Sequence, residues 1–362
     1  MKIGIVGLPN VGKSTLFNAL TGAGAEAASY PFSTITPNIG TVQVPDERLD
    51  WLCGLYEPNK VTPATVEFVD IAGLAKGASR GEGLGNKFLA HIRQTDALLH
   101  VVRCFDNADL YGDENADALR DVEILDLELV IADIEVAERR LEKAQKNAKG
   151  DKKYLSEAEL FEKLLNHLSE GKAARTFAFT NEELRILSDG GLLTLKPVIY
   201  AANLNEKGYA EREKNKSYQD LVMLANKENT RVLPICARLE QDITALEHDE
   251  RQLFLDELGI PETGLNLLIR CSYELLGLIS FLTAGKPEVR AWTITKGTKA
   301  PKAAGKIHSD LERGFIRAEV VAFEDLKSTG TMQAAKEKGL VRSEGKEYVM
   351  KDGDVVLFRF NV

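Results

Sequence analysis

The sequence predicts an α/β protein with a mainly parallel sheet, an inserted helical hairpin, and a small α+β domain at its carboxyl end. Three observations predict it. The chain opens on a strand, a glycine turn and a helix in immediate succession. Apolar strand-like runs then recur from Thr65, Ala97, Leu195 and Thr230, with helical stretches between them as parallel crossovers require. From about Gly285 the pattern changes to short strands, turns and short helices.

The first element organises the rest. Residues 1–7 read as a short buried strand, Gly7-Leu-Pro-Asn-Val-Gly-Lys-Ser14 follows without a gap, and Thr15 onward opens an apolar-periodic helix. This is G-x-x-x-x-G-K-[ST] in the strand-to-helix context that makes the pattern a phosphate-binding loop. Gly7 and Gly12 allow a turn tight enough for consecutive N–H groups to face phosphate oxygens at the positive end of the helix. Asn10, Val11, Gly12, Lys13, Ser14 and Thr15 are therefore the expected nucleotide contacts. Lys13 supplies a point charge to the outer phosphates, and the Ser14 hydroxyl is placed to ligate Mg2+.

Next comes Tyr30-Pro-Phe-Ser-Thr-Ile-Thr-Pro37, rich in prolines and hydroxyls, where Thr34 is the expected second magnesium ligand and Thr36 the reserve. The strand Thr65–Asp70 ends in Asp70-Ile-Ala-Gly73. Asp70 is placed to hold a magnesium-bound water, and the Gly73 N–H to meet the terminal phosphate. Lys13, Asp70 and Gly73 are the expected catalytic set. The glycine-rich run from Leu74 to Lys87 reads as a switch loop ordered by that phosphate.

Between the strands at Ala97 and Leu195 lie far more residues than a crossover helix needs. Val122, Leu125, Leu129, Ala132 and Val136 step by three and four, with Ile124, Leu127, Ile131 and Ile134 alongside; Leu155, Ala158, Phe161, Leu165 and Leu168 form a returning stripe. The expected division is a nucleotide domain of residues 1–105 and 195–284, a helical arm of residues 106–194, and an α+β tail of residues 285–362.

Composition narrows the class. The net charge of −9 argues against a chain that coats nucleic acid with its whole surface, but residues 285–362 hold 15 Lys/Arg and 11 Asp/Glu, so the tail is modestly basic on an acidic body. Cys53, Cys104, Cys236 and Cys271 are far apart without metal-ligand spacing and read as reduced thiols. No apolar run approaches the roughly twenty residues of a membrane span, and the chain begins directly on a strand. A soluble, cytoplasmic monomer without membrane contact is expected.

The ordered parts resemble a regulatory GTPase domain, and over essentially the whole length the sequence resembles the YchF/Obg-like ATPase family. GLPNVGKST, YPFSTITPNIG, FVDIAGLAKGASRGEGLGNKFL and NLNE look like that family's G-domain motifs; RAWTITKGTKAPKAAGKIH and DGDVVLFRFNV resemble its TGS domain. The resemblance implies a ribosome-associated nucleotide hydrolase with a β-grasp tail, acting as a switch in translation or stress response on ribosome or ribosomal RNA. A small-molecule kinase and a nucleotide-stabilised scaffold are the competing readings.

Three positions refine the expectation. Where a GTPase reads guanine with N-K-x-D, this chain has Asn203-Leu-Asn-Glu206, so the carboxylate is one methylene longer and the lysine is gone. Asn203, Leu204, Glu206 and Ala237 are the expected base contacts, with ATP preferred over GTP, and Leu204→Lys with Glu206→Asp is the exchange the sequence invites to restore guanine. Leu74 stands where small GTPases carry a water-orienting glutamine, which predicts slow turnover, and the loop Asp106–Asp113 has no histidine to replace it. His91 and His100 read as structural. Asn10 matches the position where some slow GTPases hold K+ against the phosphates.

Overall fold

The computed structural model describes residues 1–22, 37–72, 84–105, 117–188, 190–257 and 260–361. Thr34, Thr36, Gly73, the run from Leu74 to Gly83 and the whole loop Asp106–Asp113 lie outside them. The chain divides into two compact units, Met1–Thr41 with Glu67–Leu268 and Val42–Val66 with Ile269–Val362.

The first unit holds a six-stranded sheet. Its strands are β1 (Lys2–Val6), β2 (Asn38–Gln43), β4 (Thr65–Asp70), β5 (Ala97–Arg103), β6 (Val198–Asn203) and β7 (Arg231–Ile235), in the order β2-β4-β1-β5-β6-β7; β3 (Val61–Thr62) belongs to the other sheet. β1 pairs in parallel with β4 and β5, β5 with β6, and β6 with β7. Parallel strands covered on both faces read as continuous apolar runs, and β6 is buried at all six positions. The register aligns the functional ends: Ile5 pairs with Asp70, Arg103 with Asn203, and Asn203 with Ile235. Helix α1 (Lys13–Gly22) starts just beyond β1 and buries Leu16, Phe17, Ala19 and Leu20.

The helical insertion is present, but it is not a free arm along its whole length. After α2 (Glu47–Tyr56) and α3 (Leu84–Arg93), α4 (Ala118–Ala148) is capped by the Asp117 carboxylate, which accepts from the Arg120 N–H at 3.0 Å. Val122, Leu125, Leu129 and Ala132 pack with Val198, Tyr200, Leu221 and Ala225, so the first half of α4 is a crossover helix on the sheet. Only further along do Val130, Ala137 and the half-buried Val136 and Leu141 meet Leu160, Phe161, Leu164 and Leu168 of α5 (Leu155–Ser169). One amphipathic pattern thus serves two partners in succession. Leu164 is fully buried and Leu165 only partly, while Leu127 and Leu155 are exposed.

Polar bonds fasten the insertion. The buried Asp133 carboxylate accepts from the Leu193 N–H (2.7 Å), the Thr194 N–H (2.8 Å) and the Thr194 hydroxyl (2.6 Å). Arg175 donates to Asp126 at 2.5 Å and to Glu228 at 3.3 Å, and the Tyr200 hydroxyl donates to Glu228 at 2.8 Å. His100 lies buried on β5 beside Tyr200, 5.7 Å between ring centres. Burial, and then the Arg175 charge, hold its pKa down at about 3, so it stays neutral as a structural residue does.

The second unit corrects the expected boundaries. Its sheet contains β8 (Leu278–Ala284), β9 (Val289–Thr295), β10 (Phe315–Ala322), β11 (Arg342–Glu344) and β12 (Asp354–Phe360), ordered β11-β10-β12-β8-β9-β3. β8 was expected in the nucleotide domain, which was to run to residue 284, yet it pairs antiparallel with β9 and parallel with β12. An apolar run suits either sheet, and only its pairing decides. The segment Val42–Val66, expected within residues 1–105, also belongs here. Arg48 donates to Asp352 at 2.7 Å, Thr62 to Glu288 at 2.6 Å, and Trp51 meets the Phe323 ring edge-on at 5.4 Å. Phe281, Ile294, Phe315, Val356 and the alanines of the helix Ala300–Ile307 form this unit's core.

None of the four cysteines is in a disulfide; Cys104, Cys236 and Cys271 are buried and Cys53 is half-buried. Among the described residues no helix is long and apolar enough to cross a membrane.

Candidate functional site

The loop from β1 to α1 turns through two left-handed residues, Asn10 at φ 63° and Gly12 at φ 90°. Asparagine tolerates that region and glycine enters it without strain. Gly12 has a second reason to be glycine: a Cβ there would run into the Asn203 amide nitrogen. At Gly7 a Cβ would lie 2.7 Å from the Val101 carbonyl oxygen, so the loop sits directly on β5. The Leu16 N–H donates to the Gly12 carbonyl at 3.0 Å, which starts the helix and leaves the first-turn N–H groups facing outward.

At the start of α1 the Lys13 ammonium forms an ion pair and hydrogen bond with the Asp70 carboxylate, both largely buried. Ser14 is exposed beside them and Thr15 half-exposed. Two motifs 57 residues apart thus meet because β4 lies next to β1.

Asn203, at the end of β6, joins the two halves of the site. Its amide nitrogen donates to the Val11 carbonyl at 2.8 Å, and its carbonyl accepts from the Ala237 N–H at 3.0 Å. These bonds use one N–H and one lone pair, so the side chain has capacity for a further partner. The sequence marks Asn203 as a base contact; its two hydrogen bonds make it the clamp between the phosphate loop and the turn before the helix Ala237–Thr244.

Around the clamp lies a cleft of about 470 Å³ lined by Asn10, Gly12, Thr15, Asn203, Leu204, Glu206 and Ala237, and also by Phe105, Asn205, Lys207, Cys236 and Arg238. Val11, Lys13, Ser14 and Asp70 lie off its wall, Lys13 and Ser14 following it along the chain into α1. Phe105, Asn205, Lys207 and Cys236 were not anticipated. A signal for Phe105 was available, since it stands two residues past the carboxyl end of a central parallel strand, where such sheets bind ligands. Asn205 accepts from the Gly208 N–H at 2.7 Å, capping the helix Glu206–Ala210 and setting the exposed Glu206 carboxyl at its first turn.

Leu204 reaches the cleft from a buried position. It is only 2 % exposed, its side chain belongs to the apolar cluster under the sheet, and its N–H donates to the Ile235 carbonyl at 2.7 Å. A lysine there would bury an ammonium in hydrocarbon, so Leu204→Lys would test folding rather than base choice. Cys236, at the cleft wall, has its thiol pKa raised, chiefly by burial.

Magnesium fits these residues. Mg2+ is held by one or two protein oxygens together with substrate phosphates rather than by an all-protein cage. Among the described residues no group of three or more His, Cys, Asp and Glu could form such a cage, while the Ser14 hydroxyl and Asp70 carboxylate flank the helix start.

Comparison with known proteins gives concordant matches. Residues 2–148 match the family model MMR_HSR1, described as a 50S ribosome-binding GTPase, and residues 278–361 match YchF-GTPase_C, described as a protein of unknown function (DUF933). The chain is 54 % identical over 361 residues to the ribosome-binding ATPase YchF of Bacillus subtilis, covering 99 % of each chain. It is 52 % identical over 364 residues to the Haemophilus influenzae protein of the same name, covering 100 % of this chain and 99 % of the other. Among solved structures, the YchF GTPase of Schizosaccharomyces pombe superposes with a TM-score of 0.89 at 40 % identity, covering 99 % of this chain and 97 % of that one.

Proposed function

The chain belongs to the YchF family, and on that premise we propose that it is a ribosome-associated P-loop ATPase that hydrolyses ATP, and GTP less well, to the diphosphate and phosphate. One observation carries the reading: the phosphate loop and the Asn203–Ala237 turn line one cleft, and Lys13, where that loop enters its helix, is paired with Asp70. The name carried by the Bacillus subtilis relative supports the ribosome as partner. In this reading the protein works as a monomer, the first unit turns over nucleotide, and the hairpin and the second unit engage the ribosome.

The residues divide the work by their chemistry. With nucleotide bound, Lys13 would exchange Asp70 for the outer phosphate oxygens, leaving the Asp70 carboxylate to help position Mg2+ and its water. Ser14 and Thr34 would hold Mg2+, which would supply charge neutralisation at the phosphates, and the Gly73 N–H would meet the terminal phosphate. Val11, Gly12 and Thr15 contribute main-chain N–H groups to the phosphates. Asn203 offers its second amide hydrogen to a purine nitrogen, with Leu204 and Ala237 presenting main chain to the base and Glu206 at the position that reads guanine in GTPases.

Glu206→Asp tests the base assignment without disturbing the core. Shortening the carboxylate is expected to move the ATP:GTP affinity ratio toward GTP by about tenfold, or about 1.4 kcal/mol. Titration of both nucleotides into wild type and variant reads it. Strong wild-type selectivity for GTP, or a ratio that does not move, means the base is read elsewhere.

Asn10 turns at the cleft rim with its left-handed backbone, and its amide oxygen is assigned to K+ held against the phosphates, the charge an arginine would otherwise supply. Phosphate release is expected to run several-fold faster in potassium than in sodium buffer, and Asn10→Ala is expected to remove the difference. Equal wild-type rates in the two buffers would refute the potassium role while leaving the ATPase intact.

A further inference from the structure

The hairpin tip carries a charge opposite to that of the body. Residues 139–153 contain seven Lys/Arg and two Asp/Glu, whereas the other 347 residues together carry −14. Arg139, Lys143 and Lys146 follow one another at steps of four and three on α4, so they share a face, and Lys149 and Lys152 continue the series around the turn. All five are exposed, and among the described residues none of them makes an ion pair. The neighbours behave otherwise: Arg140 pairs with Glu157 at 3.0 Å and lies over the Phe161 ring, and Lys153 pairs with Asp151 at 2.8 Å. Cations kept clear of acids on the basic tip of a hairpin repel each other and gain nothing for the fold.

We propose that this tip docks on the sugar–phosphate backbone of RNA, with Arg139, Lys143, Lys146, Lys149 and Lys152 as its phosphate contacts; the proposal rests on the ribosome association inferred above and names the surface that carries it. The spacing suits that partner, because side chains three or four apart on a helix stand about 5 to 6 Å from each other, close to the separation of successive phosphates along a strand. The residue type suits it too. Lysines are point charges that neutralise phosphates without base or side-chain specificity. A protein partner would instead want apolar or aromatic anchors, and Leu155 is the exposed large apolar side chain of the tip. The arm also holds its tip firmly, since α4 and α5 share the core of Phe161, Leu164 and Leu168 and Asp133 fixes the root.

The test is the triple variant Lys143→Gln, Lys146→Gln, Lys149→Gln, which removes three charges and keeps good helix formers. Nucleotide affinity and basal hydrolysis are expected to stay at wild-type levels and serve as the check on folding. Affinity for 70S ribosomes and for protein-free ribosomal RNA, followed from 50 to 200 mM salt, is expected to fall ten- to hundredfold at 100 mM, and the log–log salt slope to shrink by about two to three units. A variant that binds both like the wild type overturns the tip as the docking surface while the ribosome association stands. Loss on ribosomes with no wild-type binding to bare RNA overturns RNA in favour of an acidic ribosomal protein. If the wild type ignores ribosomes, the association itself fails, yet tip-dependent binding to bare RNA would still uphold the proposal and its absence would overturn it.

Discussion

Lys13→Ala is expected to lower phosphate release at least 100- to 1,000-fold and to weaken triphosphate binding. Lys13 is a nearly buried ammonium at the mouth of a loop whose other donors are neutral N–H groups, so its removal leaves the outer phosphates without a fixed counter-charge where water is scarce. The substitution also strands the Asp70 carboxylate, its present partner. Asp70 would then repel the phosphates it is meant to serve through the metal, so binding of the triphosphate should suffer more than that of the diphosphate. Asp70→Asn separates the two effects: it keeps the lysine and should chiefly raise the Mg2+ concentration needed for half-maximal turnover. Single-turnover phosphate release and nucleotide titration measure both. Lys13→Ala with wild-type turnover would remove the phosphate-loop assignment altogether.

Asn203→Ala is expected to have the next largest effect, on stability and binding together. It deletes the donor to Val11 and the acceptor from Ala237, and both of those residues are 2 % exposed, so a buried carbonyl and a buried N–H lose their partners. At about 1 to 3 kcal/mol for each unsatisfied group, less whatever relaxation recovers, the variant should lose about 2 to 4 kcal/mol. For a unit of this size that corresponds to roughly 5 to 15 °C in Tm. Nucleotide affinity should fall at least tenfold, since the phosphate loop and the base-side turn would no longer be held in register. Asn203→Asp checks the cause: the acceptor for Ala237 remains, but an oxygen now faces the Val11 carbonyl, so destabilisation should persist without any loss of side-chain volume. An Asn203→Ala protein that melts and binds like the wild type would mean that the clamp contributes nothing.

The sequence by itself determined the chemistry of the first twenty residues, the parallel class of the sheet and the family resemblance. Those features are local: a glycine turn needs glycines at fixed spacing, a doubly covered strand needs an unbroken apolar run, and a helix start shows in its period. It also placed Asn203 and Asp70 at strand ends, because a strand ends where the apolar run does. Only the tertiary structure decided what those ends face. The adjacency of β4 and β1 delivers Asp70 to Lys13, the β6–β7 register puts Asn203 between Val11 and Ala237, and Leu204 turns inward where a lysine reader would have turned out. The same holds for the boundaries. Val42–Val66 and β8 join the second unit through pairings such as Arg48 with Asp352, 304 residues apart. No window along the chain contains both members of such a pair, and an apolar strand carries no mark of the sheet it will enter, so packing alone assigns it.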